Sequence, residues 1–205
     1  MDALSTDVST AEVSWEGGAS PFGVSWQKLM MWIFLVSDAI LFAGFLAAYG
    51  FERLASPSWP EQSDVFPMVV IGLMTFVLIT SSATMATAVG AAHRGDLKRA
   101  SRFVLFTALG GLIFLLFQAN EWTGLIREGA SLSSNPWGPP AFSSFFFMIT
   151  GFHGTHVLIG VIILLLVALR VRAGRTTGSG VELAGLYWHF VDLVWVFIFT
   201  CFYLI

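Results

Sequence analysis

Apolar residues fill five long runs of this chain, at residues 26–50, 66–92, 103–126, 142–170 and 184–205. A helix of about 20 apolar residues spans roughly 30 Å, the thickness of a bilayer's hydrocarbon core. Each run reaches that length, so the pattern predicts an all-α bundle of about five transmembrane helices. The segments between them are polar and short. Residues 52–65 contain Pro57 and Pro60, 93–102 form a tight basic turn, 127–141 are rich in Gly, Pro and Ser, and 171–181 are basic and Gly-rich. Residues 1–25 are acidic and lack both an apolar signal core and an Arg-rich transit pattern. They are expected to be a flexible tail, with residues 26–205 forming a single membrane domain.

Six ionisable side chains interrupt the apolar runs: Asp38, Glu121, His153, His156, His189 and Asp192. A full charge at the centre of a membrane helix costs about 2.5–3.5 kcal/mol on insertion scales. Such groups therefore need shelter, a proton or a task. In the last run, Trp188, Asp192 and Trp195 follow at i, i+4 and i+7 and share one helix face, with His189 beside them. Lipid offers that face nothing, so it is expected to pack on protein. Ser82, Ala86 and Gly90 form a small-residue stripe on the second run, where another helix can approach closely.

Each polar group has a structural and a functional reading. Asp38 is the most isolated: apart from Ser37, its helical neighbours Met31, Phe34, Leu35, Leu41, Phe42 and Phe45 are apolar. It is a candidate proton-holding carboxyl, and equally a hydrogen-bonded structural residue. His189 and Asp192, at i and i+3, are expected to bond to each other. Glu121, with Gln118 and Asn120, lies near the end of its run and is expected to reach water, a partner or a lipid headgroup. His153 and His156, at i and i+3, suit a metal, since imidazole is a common ligand. His156 and His189 differ in depth by roughly 13 Å at 1.5 Å per residue, which argues against a shared haem. Helix–helix hydrogen bonding, aided by Gly151 and Gly154, is the expected role.

Charge settles the orientation and removes several function classes. The side holding the N-terminus carries Lys28, Arg94, Lys98, Arg99, Arg102, Arg170, Arg172 and Arg175, against only Arg53 and Arg127 on the other. The positive-inside rule then puts the N-terminus in the cytoplasm and the C-terminus outside. Charged residues make up 11% of the chain, far below the ~25% of soluble domains, and mean hydropathy is +0.78, so no soluble domain is expected. A net charge of −3 gives no footprint for nucleic acid. The single cysteine, Cys201, excludes an internal disulfide and is expected to be a small apolar packer.

Four segments point to a family. GFHGTHVLIG (151–160), followed by YWHFVDLVW (187–195), resembles the C-terminal half of subunit III of the haem–copper oxidases. FQANEW (117–122) is similar to that family's Q-A-x-E-[YW] segment, and FLVSDAILFAGFLAAY (34–49) to its S-E-x-x-x-F helix. Five spans match the short bacterial form, without the first two helices of the seven-helix form. The resemblance implies a subunit with no catalytic, cofactor-binding or metal-binding residues of its own. Haem and copper would lie in subunit I, the main partner, where O2 is reduced. Subunit II, phospholipids and a cytochrome c or quinol donor complete the expected partners, in a bacterial inner membrane. The family's subunit III is thought to sustain proton uptake, protect the complex during turnover and hold lipid. Its carbodiimide-reactive intramembrane carboxylate, usually Glu, maps onto Asp38. Glu121, His153, His156, His189 and Asp192 map onto structural, lipid-related or interface positions. Three alternatives remain: an accessory subunit of a nitric oxide reductase or quinol oxidase, a small proton-coupled transporter using Asp38, and a membrane metalloenzyme using the three histidines.

Overall fold

A computed structural model describes residues 24–175 and 178–204, and every regular element among them is helical. The elements are α1 (Trp26–Ala55), the single turn α2 (Gln62–Val65), α3 (Met68–His93), α4 (Leu97–Arg127), α5 (Pro140–Arg172) and α6 (Gly178–Phe199). The last runs into a wider π-type turn at Thr200–Leu204. All but α2 are long and apolar enough to cross a membrane. The expected acidic tail lies almost wholly outside the described residues.

The helices extend past their apolar runs because local chemistry caps them in the polar zone. Apolarity marks hydrocarbon, whereas backbone hydrogen bonding continues beyond it. Thus α4 begins at Leu97, six residues before its apolar run, where Asp96 accepts a hydrogen bond from the Arg99 amide at 3.0 Å. The expected ten-residue basic turn shrinks to residues 94–96. Its pivot is Gly95, at φ +78°, a left-handed conformation that suits glycine. The Gly95 and Asp96 amides donate back to the carbonyls of Ala92 and Ala91, closing α3. The same pair of bonds closes α4 at Gly129 and Ala130.

The antiparallel pairs α3–α4 and α4–α5 form the body of the bundle. Helix α6 returns against α3 and α5, and α1 lies outside on α5 and α6. The two ends differ. At one, the end carrying the basic connectors, Glu182 of α6 meets Lys28 of α1 at 2.5 Å and His93 of α3 at 3.5 Å. At the other, rings from the helix ends, the α1–α3 connector and the π-type turn close the bundle: Tyr49 on Phe202 at 4.1 Å, Phe66 on Tyr203 at 4.6 Å, and Trp59 on Phe142 at 5.7 Å. Offset and edge-on ring pairs add about 0.5–1.5 kcal/mol each beyond area burial.

The Trp188, Asp192 and Trp195 face is covered by this chain's own α3. The Trp195 indole donates to Thr75 Oγ1 at 3.1 Å, and the Trp188 indole to Ser81 Oγ at 3.0 Å. The stripe Ser82, Ala86 and Gly90 is not the close-packing face, since Ala86 is exposed. Contact is made one position over, by Ser81, Met85 and Ala88. There α4 approaches so closely that a Cβ on Gly110 would lie 2.7 Å from that of Ser81. Both serines serve α6: Ser81 accepts from the Trp188 indole and Ser82 bonds His189.

A double-mutant cycle on Trp188→Phe and Ser81→Ala measures one rung of this ladder. The expected coupling is about 0.6 kcal/mol, with ~1.7 kcal/mol as the ceiling for such bonds in membranes. Chemical unfolding in detergent micelles checks it.

Candidate functional site

Asp38 sits one turn before Phe42 on the face that α1 turns towards α5. The Phe42 ring lies 5.2 Å from Phe152 and 5.6 Å from His156, so it wedges the two helices at a fixed spacing. This sets Asp38 Oδ2 at 3.4 Å from His156 Nε2, with both residues buried at 8% and 9% exposure. On α6, the Tyr187 hydroxyl donates to the His156 carbonyl at 3.0 Å. The pair therefore lies where α1, α5 and α6 meet.

The second ring nitrogen specifies the protonation pattern. His156 Nδ1 is 2.8 Å from the carbonyl oxygen of Phe152, which can only accept. Nδ1 must therefore carry a hydrogen. In a neutral ring that leaves Nε2 as a lone pair facing the carboxyl. A carboxylate there would set two acceptors against each other. Asp38 Oδ2 stands at ion-pair distance from Nε2 but makes no hydrogen bond among the described residues, so a proton placed between them would relieve the clash. Both side chains are sheltered from water.

His153, one turn before His156, is fully buried. Its ring lies at 5.2 Å and 30° to Trp195, with Phe114 edge-on at 5.7 Å, and neither nitrogen has a hydrogen-bonding partner among the described residues. His189 is on a different seam, with Nδ1 2.6 Å from Ser82 Oγ on α3. The expected direct bond between His189 and Asp192 does not form. Ser82 also interacts with the Asp192 carboxyl and stands between the two. A hydroxyl both donates and accepts, so it serves an imidazole and a carboxyl from a neighbouring helix better than i, i+3 geometry does.

Glu121 also departs from expectation. It is 8% exposed, and Tyr203 approaches both carboxyl oxygens, at 3.1 and 3.3 Å. The chain's final turn folds over it and takes the place of water or a headgroup. One turn earlier, Gln118 donates to the Thr150 carbonyl at 2.6 Å, and the Trp122 indole donates to Thr150 Oγ1 at 3.2 Å. Gly151 and Gly154 do admit a close approach. A Cβ on Gly154 would meet the Gln118 amide at 2.7 Å, and one on Gly151 the Trp122 ring at 2.9 Å.

The imidazoles differ in what they touch. His156 is bonded through Nδ1 and faces Asp38, His189 is tied to α3, and His153 is enclosed by rings, of which Phe42 also touches His156. They do not converge as a haem or copper ligand set. Sequence reasoning missed Tyr187, Ser82, Tyr203 and the Glu182 junction. Tyr187 and Ser82 stood inside segments already singled out, but a hydroxyl within an apolar run has no signal of its own until its partner helix is placed.

Comparison with known proteins adds the following. The family model described as cytochrome c oxidase subunit III matches residues 3–205. A quinol oxidase subunit 3 of Bacillus spizizenii is 39% identical over 180 residues, covering 86% of this chain and 85% of the relative. A cytochrome c oxidase subunit 3 of Corynebacterium diphtheriae is 35% identical over 179 residues, 84% and 85% of the two chains. One from Synechocystis is 33% identical over 208 residues, 99% and 86% of the two.

Proposed function

Because this chain belongs to the cytochrome c oxidase subunit III family, a component of haem–copper terminal oxidase complexes, we propose that it is the non-catalytic subunit III of an aerobic oxidase of the cytochrome c type. In this reading it stabilises the complex and keeps a proton available to the partner that reduces O2. Haem and copper belong to subunit I, which together with subunit II and phospholipids surrounds this chain in a bacterial cytoplasmic membrane. The N-terminus faces the cytoplasm.

The buried contact between Asp38 and His156, which we read as the place where one proton is held, carries the reading. It joins α1, the least covered span, to the body of the bundle. In the most apolar window of α1, 17% of residues are buried, against 33–50% in the other four spans. The remaining surface of α1 is apolar, with Met30, Ile33, Val36 and Ile40 more than half exposed. A side chain that holds a proton beside such a surface suits a subunit that serves a neighbour. Asp here in place of the family's usual Glu shortens the side chain by one methylene. Contact with His156 nevertheless brings it within reach of a proton acceptor.

The identity values favour keeping a quinol donor as the second reading, since the Bacillus spizizenii relative is 39% identical and the two cytochrome c oxidase relatives 35% and 33%. Purification by a tag on this chain tests both. A haem-bearing complex that consumes O2 is expected, and the donor it oxidises, reduced cytochrome c or a quinol, assigns the class. Recovery of the chain alone, or with a complex that reduces nitric oxide and not O2, overturns the proposal.

A further inference from the structure

Near the basic end of the bundle, α4 and α5 leave a cavity of about 370 Å³ between them. Its rim carries Lys98 and Arg102 of α4 and Arg172 of α5, and the buried Ser101 lines it, donating to the Ala168 carbonyl at 3.3 Å. We propose that this cavity binds the phosphate of one anionic phospholipid, with Lys98, Arg102 and Arg172 as its ligands and the lipid's chains lying along the α4–α5 seam.

The charges call for an anion. Among the described residues, none of the three cations has a carboxylate within 4 Å. The nearby acid, Asp96, already accepts from the Arg99 amide. Arg99 itself turns away, with its guanidinium 5.8 Å from the Phe103 ring centre. Lys98 and Arg102 stand in the first two turns of α4, where the helix dipole is also positive. A general excess of positive charge on one membrane side would account for the residue types. It does not account for three cations converging from two helices on one concavity.

The seam above the cavity identifies the anion as a lipid. Lys98, Arg102, Leu105, Leu109 and Leu112 follow at i, i+4, i+7, i+11 and i+14 and share one face of α4. Leu109 and Leu112 are 52% and 46% exposed, and Leu165, two turns back from Arg172 on α5, is 43% exposed. A phosphate in the cavity therefore has an apolar track beginning beside it and running towards the bilayer centre. Basic pockets between membrane helices on the cytoplasmic side are suited to anionic headgroups. The assignment goes beyond the membrane surroundings proposed above by naming one lipid site and its charge class. Its readout is a bound mass, so it stands or falls independently of which complex the chain serves.

The test compares the purified wild-type complex with a Lys98→Gln, Arg102→Gln, Arg172→Gln variant. Native mass spectrometry is expected to show one fewer phosphatidylglycerol or cardiolipin on the variant. Delipidated wild-type complex titrated with phosphatidylglycerol nanodiscs is expected to bind roughly 100-fold more tightly than the variant, with no such difference in phosphatidylcholine nanodiscs. Should the triple variant fail to assemble, the single variants replace it, each with about 5-fold weaker binding. Equal lipid counts and equal affinities overturn the proposal. Saturable binding of inorganic phosphate without any phosphatidylglycerol preference overturns it in favour of a soluble anion. Loss of a partner subunit with lipid retained overturns it in favour of a protein interface.

Discussion

Gly111→Val is expected to detach α6 from the bundle and with it the subunit from its complex. Gly111 is the seat of Trp188, a ring with 1% exposure at the junction of α4, α5 and α6. A Cβ at 111 would collide with the end of that ring and lie 2.8 Å from Val161 Cγ2. The ring cannot retreat. Its adjoining edge rests on Gly160, where a Cβ would already be 3.0 Å away, and its indole nitrogen is bonded to Ser81. Methylenes forced into a packed core cost about 1–3 kcal/mol, and valine adds three carbons against three fixed neighbours, so the upper end or beyond is expected. Gly124→Ala is the control. Among the described residues nothing lies within 4 Å of its Cβ position, and replacing a glycine in the helix's last turn gains at most ~1 kcal/mol. Retention of the subunit on the purified complex during a temperature ramp reads both. Equal retention of the two variants would show that Trp188 is not confined as described.

The Trp188 seat also shows what was legible in the sequence. The tryptophan, its face and its need for protein cover all followed from i, i+4, i+7 spacing and the cost of polarity in lipid. That α3 of the same chain supplies the cover did not follow. Helical periodicity reports which residues share a face, not which helix that face meets. The five spans were equally plain, because 20 apolar residues have few other uses. Their ends were displaced by up to six residues, since Asp96 and Gly95 set the α3–α4 boundary through caps in the polar zone, where hydropathy has already fallen.

The candidate site was legible as a set of residues and illegible as a set of pairs. Asp38 was conspicuous because it is costly, yet its partner lies 118 positions away on α5. His189 and Asp192 were conspicuous as neighbours, and the natural inference of a direct bond overlooked Ser82. Glu121 was placed at the water boundary by its position in the apolar run. Tyr203, at the chain's end, encloses it instead. In each case the missing piece is a hydroxyl or imidazole from another helix, whose geometry depends on packing. The membrane strengthens this dependence, because the bilayer core holds no water to stand in for a partner helix.

Asp38→Asn and Asp38→Ala together are expected to separate support from proton holding. Alanine removes the carboxyl and leaves His156 Nε2 facing an apolar gap, at a cost of about 1–3 kcal/mol for the unpaired group. Asparagine differs. Its amide N–H can donate to the Nε2 lone pair while Nδ1 keeps its bond to the Phe152 carbonyl. The asparagine variant therefore keeps the α1–α5 contact and matches wild-type thermal stability, but its pair no longer holds an exchangeable proton. If the proposed role is right, both variants lose oxidase activity faster during sustained turnover, and both take up protons more slowly. In that role Asp38 does not touch a redox centre, so the haem and copper spectra of both variants are expected to stay those of the wild type. A purely structural Asp38 predicts another order, with asparagine behaving as wild type in turnover and only alanine failing. His156→Gln provides the reciprocal check. It removes the proton acceptor from the opposite side, so its turnover defect should not add to that of Asp38→Asn if the two side chains act as one unit.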